Sequence, residues 1–386
     1  MTSLLIIVVL GLISFAVWQL TKIFELTQIG SNLDESQVAN DNDNNVNGYL
    51  MYAFLVFIYI TTIFCVVEYG HFPLMSDSAS EHGVEVDRLM WISMILIFIV
   101  QTITQALLHY FAFKYRGKKE NKALYFADSN KLEVIWSIIP AITLAGLILY
   151  GLYAWTNIMF VDEETEDVMV VEVYAKQFSW EVRYSGKDNV LGKANVRYIQ
   201  GINTLGVDVA DPNAQDDIVT NELHLPKGKK VLFKFRSQDV LHSAYMPHFR
   251  AQMNCVPGMI TQFAFTPTVT TSEMRATEMM VAKVNEINRI RTKKSKELVL
   301  NGKEALDPYT FDYLLLCNKI CGKSHYNMQM KIVVENPQEF QKWLNKKPTL
   351  ISLIKAQDAP AETKEGSTDS AKAEVDSTVV AQVLKK

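Results

Sequence analysis

Residues 91–100 read WISMILIFIV, a stretch with no charge and without the polar stripe at helical spacing that a helix of a soluble bundle carries. Extended in both directions it becomes an uncharged run over residues 89–113, and three similar runs occupy 2–21, 48–67 and 134–161. At a rise of about 1.5 Å per residue, roughly 20 residues cross a hydrocarbon layer of about 30 Å. The chain is therefore expected to carry a membrane α-helical anchor of about four transmembrane helices. The first run lacks a basic flank and an A-x-A-like cleavage site, so it reads as a retained helix instead of a secretory signal.

The segment between the third and fourth runs holds Lys114, Arg116, Lys118, Lys119, Lys122 and Lys131. Short loops rich in Lys and Arg stay in the cytoplasm, which places everything after residue 161 on the opposite, extracytoplasmic side. The full chain of 386 residues has 38 basic and 42 acidic groups, a near-neutral net charge of -4 that points to no nucleic acid partner. Membrane lipid is the surrounding medium.

Beyond the fourth run the pattern changes to alternation. In KQFSWEVRY, Phe178, Trp180, Val182 and Tyr184 share one face while Ser179, Glu181 and Arg183 share the other, the period of a half-buried strand. KKVLFKFRS, MITQFAFT and QMKIVVE repeat that pattern between turn residues. Short strands so punctuated predict an all-β Greek-key domain over residues 162–348. Residues 192–221 read as a long surface loop. Residues 276–300 read as an inserted helix with Met280, Val284 and Ile287 on one face and a basic opposite face. From 349 to 386 the composition is polar and core-poor, and a disordered tail is expected there.

The chemistry concentrates in CNKICGKSHYNM, where Cys317, Cys321, His325 and Met328 stand at i, i+4, i+8 and i+11. Two cysteines outside the cytoplasm would ordinarily suggest a disulfide, but a neighbouring imidazole and thioether turn the reading toward metal. A structural zinc site is closed by Cys and His, and a thioether is a poor zinc ligand, so Met328 favours copper. Two thiolates four residues apart can bridge a pair of copper ions. A second imidazole is then needed, and DVLHSAYMPHF supplies His242 between two strands. A lone histidine is ordinarily structural, and His71, His82, His109, His224 and His248 are read as interfacial or surface residues. Cys255 is read as buried and inert. No C-x-x-C-H occurs, so no covalent haem is expected on this chain.

The ordered set DVLHSAYMP, VPG and C-x-x-x-C-G-x-x-H-x-x-M, following a hairpin that ends in LEVIWSIIP, resembles subunit II of the haem-copper oxidases. The resemblance implies a cupredoxin-like domain holding a binuclear, mixed-valence copper centre on His242, Cys317, Cys321, His325, Met328 and the backbone carbonyl of Lys319. It implies a transmembrane hairpin of subunit II type over residues 85–161, with two extra N-terminal transmembrane helices in 1–68. The implied role is electron uptake from a c-type cytochrome, free or held in a quinol-oxidising complex, and delivery to haem in oxidase subunit I of a respiratory inner membrane. Phe178 falls at the family's electron-accepting tryptophan, Trp180 at a later aromatic, and Glu133 at the mouth of a proton channel. Lys319 stands where the family carries a glutamate that helps bind magnesium, so a magnesium site is doubtful here. Two other classes share part of the pattern: a quinol oxidase subunit, which has this fold without the copper ligands, and a structural zinc module on a membrane anchor. The basic insert is expected beside the copper site, in a position to influence donor docking.

Overall fold

The computed structural model describes residues 2–28, 41–70, 77–122, 124, 125, 127–163 and 167–358. Four helices come first: α1 (Thr2–Gln28), α2 (Asp41–Tyr69), α3 (Glu81–Lys114) and α4 (Asn130–Met159). Three of them, α2, α3 and α4, are long and apolar enough to cross a membrane, and the described apolar stretch of α1, Val8–Ile23, is shorter. The 34 residues of α3 extend about 51 Å, more than a bilayer core of about 30 Å needs. Its first turns, with Glu81, Glu85, Asp87 and Arg88, can therefore stand outside the apolar layer.

Ser80 caps α3 by accepting from the Gly83 N–H at 3.3 Å. The helix α2 lies against α3, with Gly48 so close that an added Cβ would fall 2.9 Å from the Phe113 ring. His109 is buried, 6.2 Å from the Phe54 ring, and His224 is buried under Trp343 with ring centroids 3.9 Å apart. Neither is the surface residue that its polarity suggests, because each ring is covered by an aromatic neighbour. His71 lies outside the described residues.

The remaining chain forms two five-stranded sheets. One has the order β3 (Ile218–Thr220), β2 (Ser179–Tyr184), β1 (Val168–Lys176), β5 (Lys230–Ser237), β8 (Thr261–Phe265). The other runs β4 (Leu223–Pro226), β10 (Gln329–Glu335), β9 (Tyr313–Cys317), β6 (His242–Met246), β7 (Ala251–Cys255). Pairing of β1 with β5 and of β10 with β4 is parallel, so the chain crosses between sheets as a Greek-key sandwich does. The core between the sheets is built of Val171, Val173, Val182, Tyr184, Phe233, Phe235, Leu315 and Ile332.

Three expectations change. The segment expected to be a surface loop is packed: Leu205, Val207 and Ala214 are buried with Tyr174 and Leu350 on the outer face of the first sheet. That cover buries Arg183, expected on the open face, where it donates to Glu172 at 2.6 Å and to Asp217 at 2.9 Å. Buried charge persists only when paired in this way. The tail expected to be disordered from 349 instead begins with helix α8 (Leu350–Asp358), which follows the short α7 (Pro337–Leu344), because Leu350 and Ile351 find apolar cover; residues 359–386 lie outside the described residues.

The insert consists of a short helix α5 (Thr271–Ala276) with a capping box and the long basic helix α6 (Glu278–Leu300). The chain then runs back along α6. Asn288 donates to Tyr309 O at 3.0 Å, Arg291 to Asp307 O at 2.9 Å, and Ser295 accepts from Leu306 N–H at 2.9 Å. This arm is rooted at the Tyr313 end of β9. It does not spring from beside the Cys317 end, because the strand carries the chain about 13 Å between the two.

The domain is fastened to the hairpin by specific bonds. Arg250 forks onto Asp87 at 2.7 and 2.8 Å, Ala79 N–H donates to His248 O at 2.8 Å, and Thr268 N–H donates to Ala79 O at 2.8 Å. The second helix of the hairpin is held at the same end, where Gln262 donates to Met159 O at 3.3 Å.

Candidate metal centre

His242 opens β6, Cys317 closes β9 and Met328 immediately precedes β10. Strands β6 and β9 are antiparallel neighbours with Ala244 opposite Cys317, and Asn318 N–H donates to Ser243 O at 2.9 Å. The loop 317–328 closes on itself through Cys317 N–H and Met328 O at 3.1 Å. Sequence distance is thereby erased, and residues 75 apart share one pocket.

The sulfurs of Cys317 and Cys321 are 3.8 Å apart, far beyond a disulfide bond of about 2.05 Å. Half that separation is shorter than a metal–thiolate bond of about 2.3 Å, so metal ions on either side can each reach both sulfurs. His242 Nδ1 is 3.8 Å from Cys317 Sγ, His325 Nδ1 is 3.7 Å from Cys321 Sγ, and Met328 Sδ is 3.9 Å from Cys321 Sγ. The Lys319 carbonyl stands 3.2 Å from Cys317 Sγ. All six sequence-expected donors thus converge. His242, Cys317 and Cys321 are grouped as a metal-capable cluster with donor atoms within 4.8 Å of one another.

The chemistry of the donors also asks for a cation. Burial, together with the hydrogen bond and charge of Cys317, pushes the Cys321 thiol up to about 11. Two adjacent thiols cannot both ionise cheaply unless a metal offsets the charge. On His242, Nε2 lies 2.9 Å from Asp239 Oδ1. The carboxylate can only accept, so the proton sits on Nε2 and Nδ1 keeps its lone pair toward Cys317. Burial works against ionisation of Asp239, yet the bonds from His242, Gln177 N–H and Val240 N–H together hold its carboxyl below the usual range. Asp239 escaped the sequence reading, although a carboxylate three residues before a ligand histidine is a usable signal.

Trp180 is buried behind the cluster, with its indole edge-on to His242 at 6.2 Å and its Nε1 3.5 Å from Met328 O. Phe178 is half-buried at the turn between β1 and β2, against Gly322 of the ligand loop. Around the loop, Ile320 and Tyr326 are 85% and 87% exposed, forming an apolar rim. The Lys319 side chain is exposed and offers no ligand to a hard cation. Glu133 is exposed in the first turn of α4, at the far end of the membrane span. Cys255 is fully buried, its thiol pushed up to about 12 by burial, and Cys65 lies exposed on α2. His82 and His248 stay outside the cluster, packed on Phe263 and Phe311.

Residues 70–154 match the family model for the cytochrome c oxidase subunit II transmembrane domain, and residues 169–274 match that for its periplasmic domain. The second match ends inside α5, at the root of the arm. The alternative cytochrome c oxidase subunit 2 of Bradyrhizobium diazoefficiens is 33% identical over 246 residues, covering 63% of this chain and 73% of that one. Cytochrome c oxidase subunit 2 of Thermostichus vulcanus is 23% identical over 304 residues, covering 71% of this chain and 78% of that one. Among solved structures, the periplasmic domain of subunit II of cytochrome oxidase of Bradyrhizobium japonicum aligns at 17% identity with a TM-score of 0.25, covering 46% of this chain and 91% of that one.

Proposed function

The chain belongs to the cytochrome c oxidase subunit II family, and from that membership we propose that it is the electron-accepting subunit of a respiratory oxidase, with two copper ions held by His242, Cys317, Cys321, His325, Met328 and the Lys319 carbonyl. One observation carries the reading: five soft or borderline side chains and one carbonyl meet around two unjoined sulfurs 3.8 Å apart. When bound, a copper pair supplies one-electron transfer from a c-type haem outside to haem in subunit I, where oxygen is reduced to water with proton translocation.

The chain's own residues do the positioning. Asp239 fixes the His242 tautomer, the hairpin closure at Cys317 and Met328 fixes the loop, and Trp180 keeps water from the inner side. Phe178, half-buried against the ligand loop, is the residue through which an electron is accepted, and Trp180 lines the route behind it. Glu133 takes up protons on the cytoplasmic side. The donor is a c-type cytochrome, free or within a quinol-oxidising complex, and the membrane is the respiratory inner membrane. A quinol oxidase subunit would not need this donor set, and a zinc site would not need the thioether.

Metal analysis of the purified complex tests the reading. Two coppers per chain and a mixed-valence signal lost in Cys317→Ser are expected; zinc, or no metal, would defeat it.

A further inference from the structure

The two-residue turn Gln177–Phe178 between β1 and β2 is in contact with both halves of the ligand set. The Gln177 N–H donates to Asp239 Oδ2 at 2.7 Å, while Asp239 Oδ1 accepts from His242 Nε2 at 2.9 Å and from Val240 N–H at 2.7 Å. The Gln177 side chain reaches the other way, with Nε2 donating to the Cys321 carbonyl. A carbonyl can only accept, so the amide must present its nitrogen there.

The turn can sit this close because of Gly322. Its φ of +140° is one that side chains rarely adopt, and an added Cβ would lie 2.9 Å from Phe178 Cζ and 3.0 Å from Gln177 Nε2. The ligand loop thus has no side chain where the turn rests on it. Nothing in the core requires a glutamine at 177, which is exposed.

We propose that Gln177 is a positioning residue of the metal centre, tying the His242 side of the ligand set to the Cys321 side through its main-chain and side-chain N–H groups. Ligands borne on separate strands and loops must be held within a narrow tolerance for a metal pair to stay bound and keep its electronic character. Strands β6 and β9 hold His242 and Cys317, but Cys321 lies beyond the strand, in the loop. Gln177 supplies the tie there.

The inference rests on the copper reading of the site. Its test uses the full chain in its membrane complex, with Gln177→Met and Gln177→Glu, both of which keep length and remove the amide donor. Tyr184→Phe is the control, since it breaks the 2.9 Å hydrogen bond to His224 O in the same domain, away from the ligands. The Gln177 variants are expected to release copper to a chelator about threefold to tenfold faster than wild type, with altered hyperfine splitting of the copper signal. The control is expected to lower the thermal midpoint and leave copper release unchanged. If Gln177→Met does not accumulate, Gln177→Glu, which preserves polarity, is read alone. Wild-type release and an unaltered signal in the Gln177 variants overturn the proposal. A wild-type chain without copper overturns the site reading beneath it, so the two failures are told apart.

Discussion

The most consequential contact of the centre involves a group that is not itself a donor to metal. Asp239 faces His242 Nε2 at 2.9 Å and, by fixing which nitrogen is protonated, turns Nδ1 toward the thiolates. An amide at that position could present either an acceptor or a donor and would carry no charge. Asp239→Asn should therefore weaken copper binding about 10- to 100-fold, the usual penalty for losing a carboxylate behind a metal-bound histidine. Competition with a copper chelator measures it, and wild-type affinity would refute the role. The candidate donors of one loop were legible in the sequence because Cys317, Cys321, His325 and Met328 lie within twelve residues, whereas the wider set with His242 and the Lys319 carbonyl was what the family resemblance implied. Gln177 and Asp239 were not. A polar residue in a turn has many ordinary uses, and only proximity across 62 residues reveals this one.

At the level of elements, alternation located β2, β5, β8 and β10, since a strand with one open face writes its burial into its sequence. The burial of Arg183 was not legible, because it depends on a distant segment folding over that face. Nor was α8, whose nine residues are too few to be stable alone and depend on packing. The root of the arm carries a pH dependence of its own. His248, packed edge-on against Phe311 at 5.0 Å and Tyr313 at 5.5 Å, is pushed down to about 4 by burial, with Lys283 and Arg250 adding repulsion. The unfolded histidine titrates near 6.5 and the folded one does not. Its contribution is complete above that value and is lost as pH falls toward 4. At about 1.4 kcal/mol per unit, the loss is at most about 3.5 kcal/mol. Thermal unfolding midpoints should fall across this window, and His248→Phe should flatten the decline; an equal slope in both proteins would exclude the residue.

Across the whole molecule, the proposed proton-uptake residue and the metal centre are separated by the membrane. Glu133 lies in the first turn of a 30-residue helix, about 39 Å along the axis from Met159. An ionisable group at such a boundary is a functional candidate, and a carboxylate there also suits the helix N-terminus. Glu133→Gln should slow steady-state turnover severalfold while leaving the copper signal untouched. Turnover unchanged at every pH would leave only the helix-terminus role.

Beyond Met280, buried in the sandwich core, and Val284, packed against it, the basic arm runs out from the domain and returns at Phe311, and Arg275 at its base bonds both the Phe311 carbonyl, at 2.7 Å, and Asp312, at 2.6 Å. Departure and return are thus stapled together whatever lies between them. Loop-closure entropy grows only logarithmically, with each doubling of length costing about 0.6 kcal/mol. The position is consequently a port at which chain can be added or removed in evolution, or a reporter grafted, while the strand leading to Cys317 keeps its register.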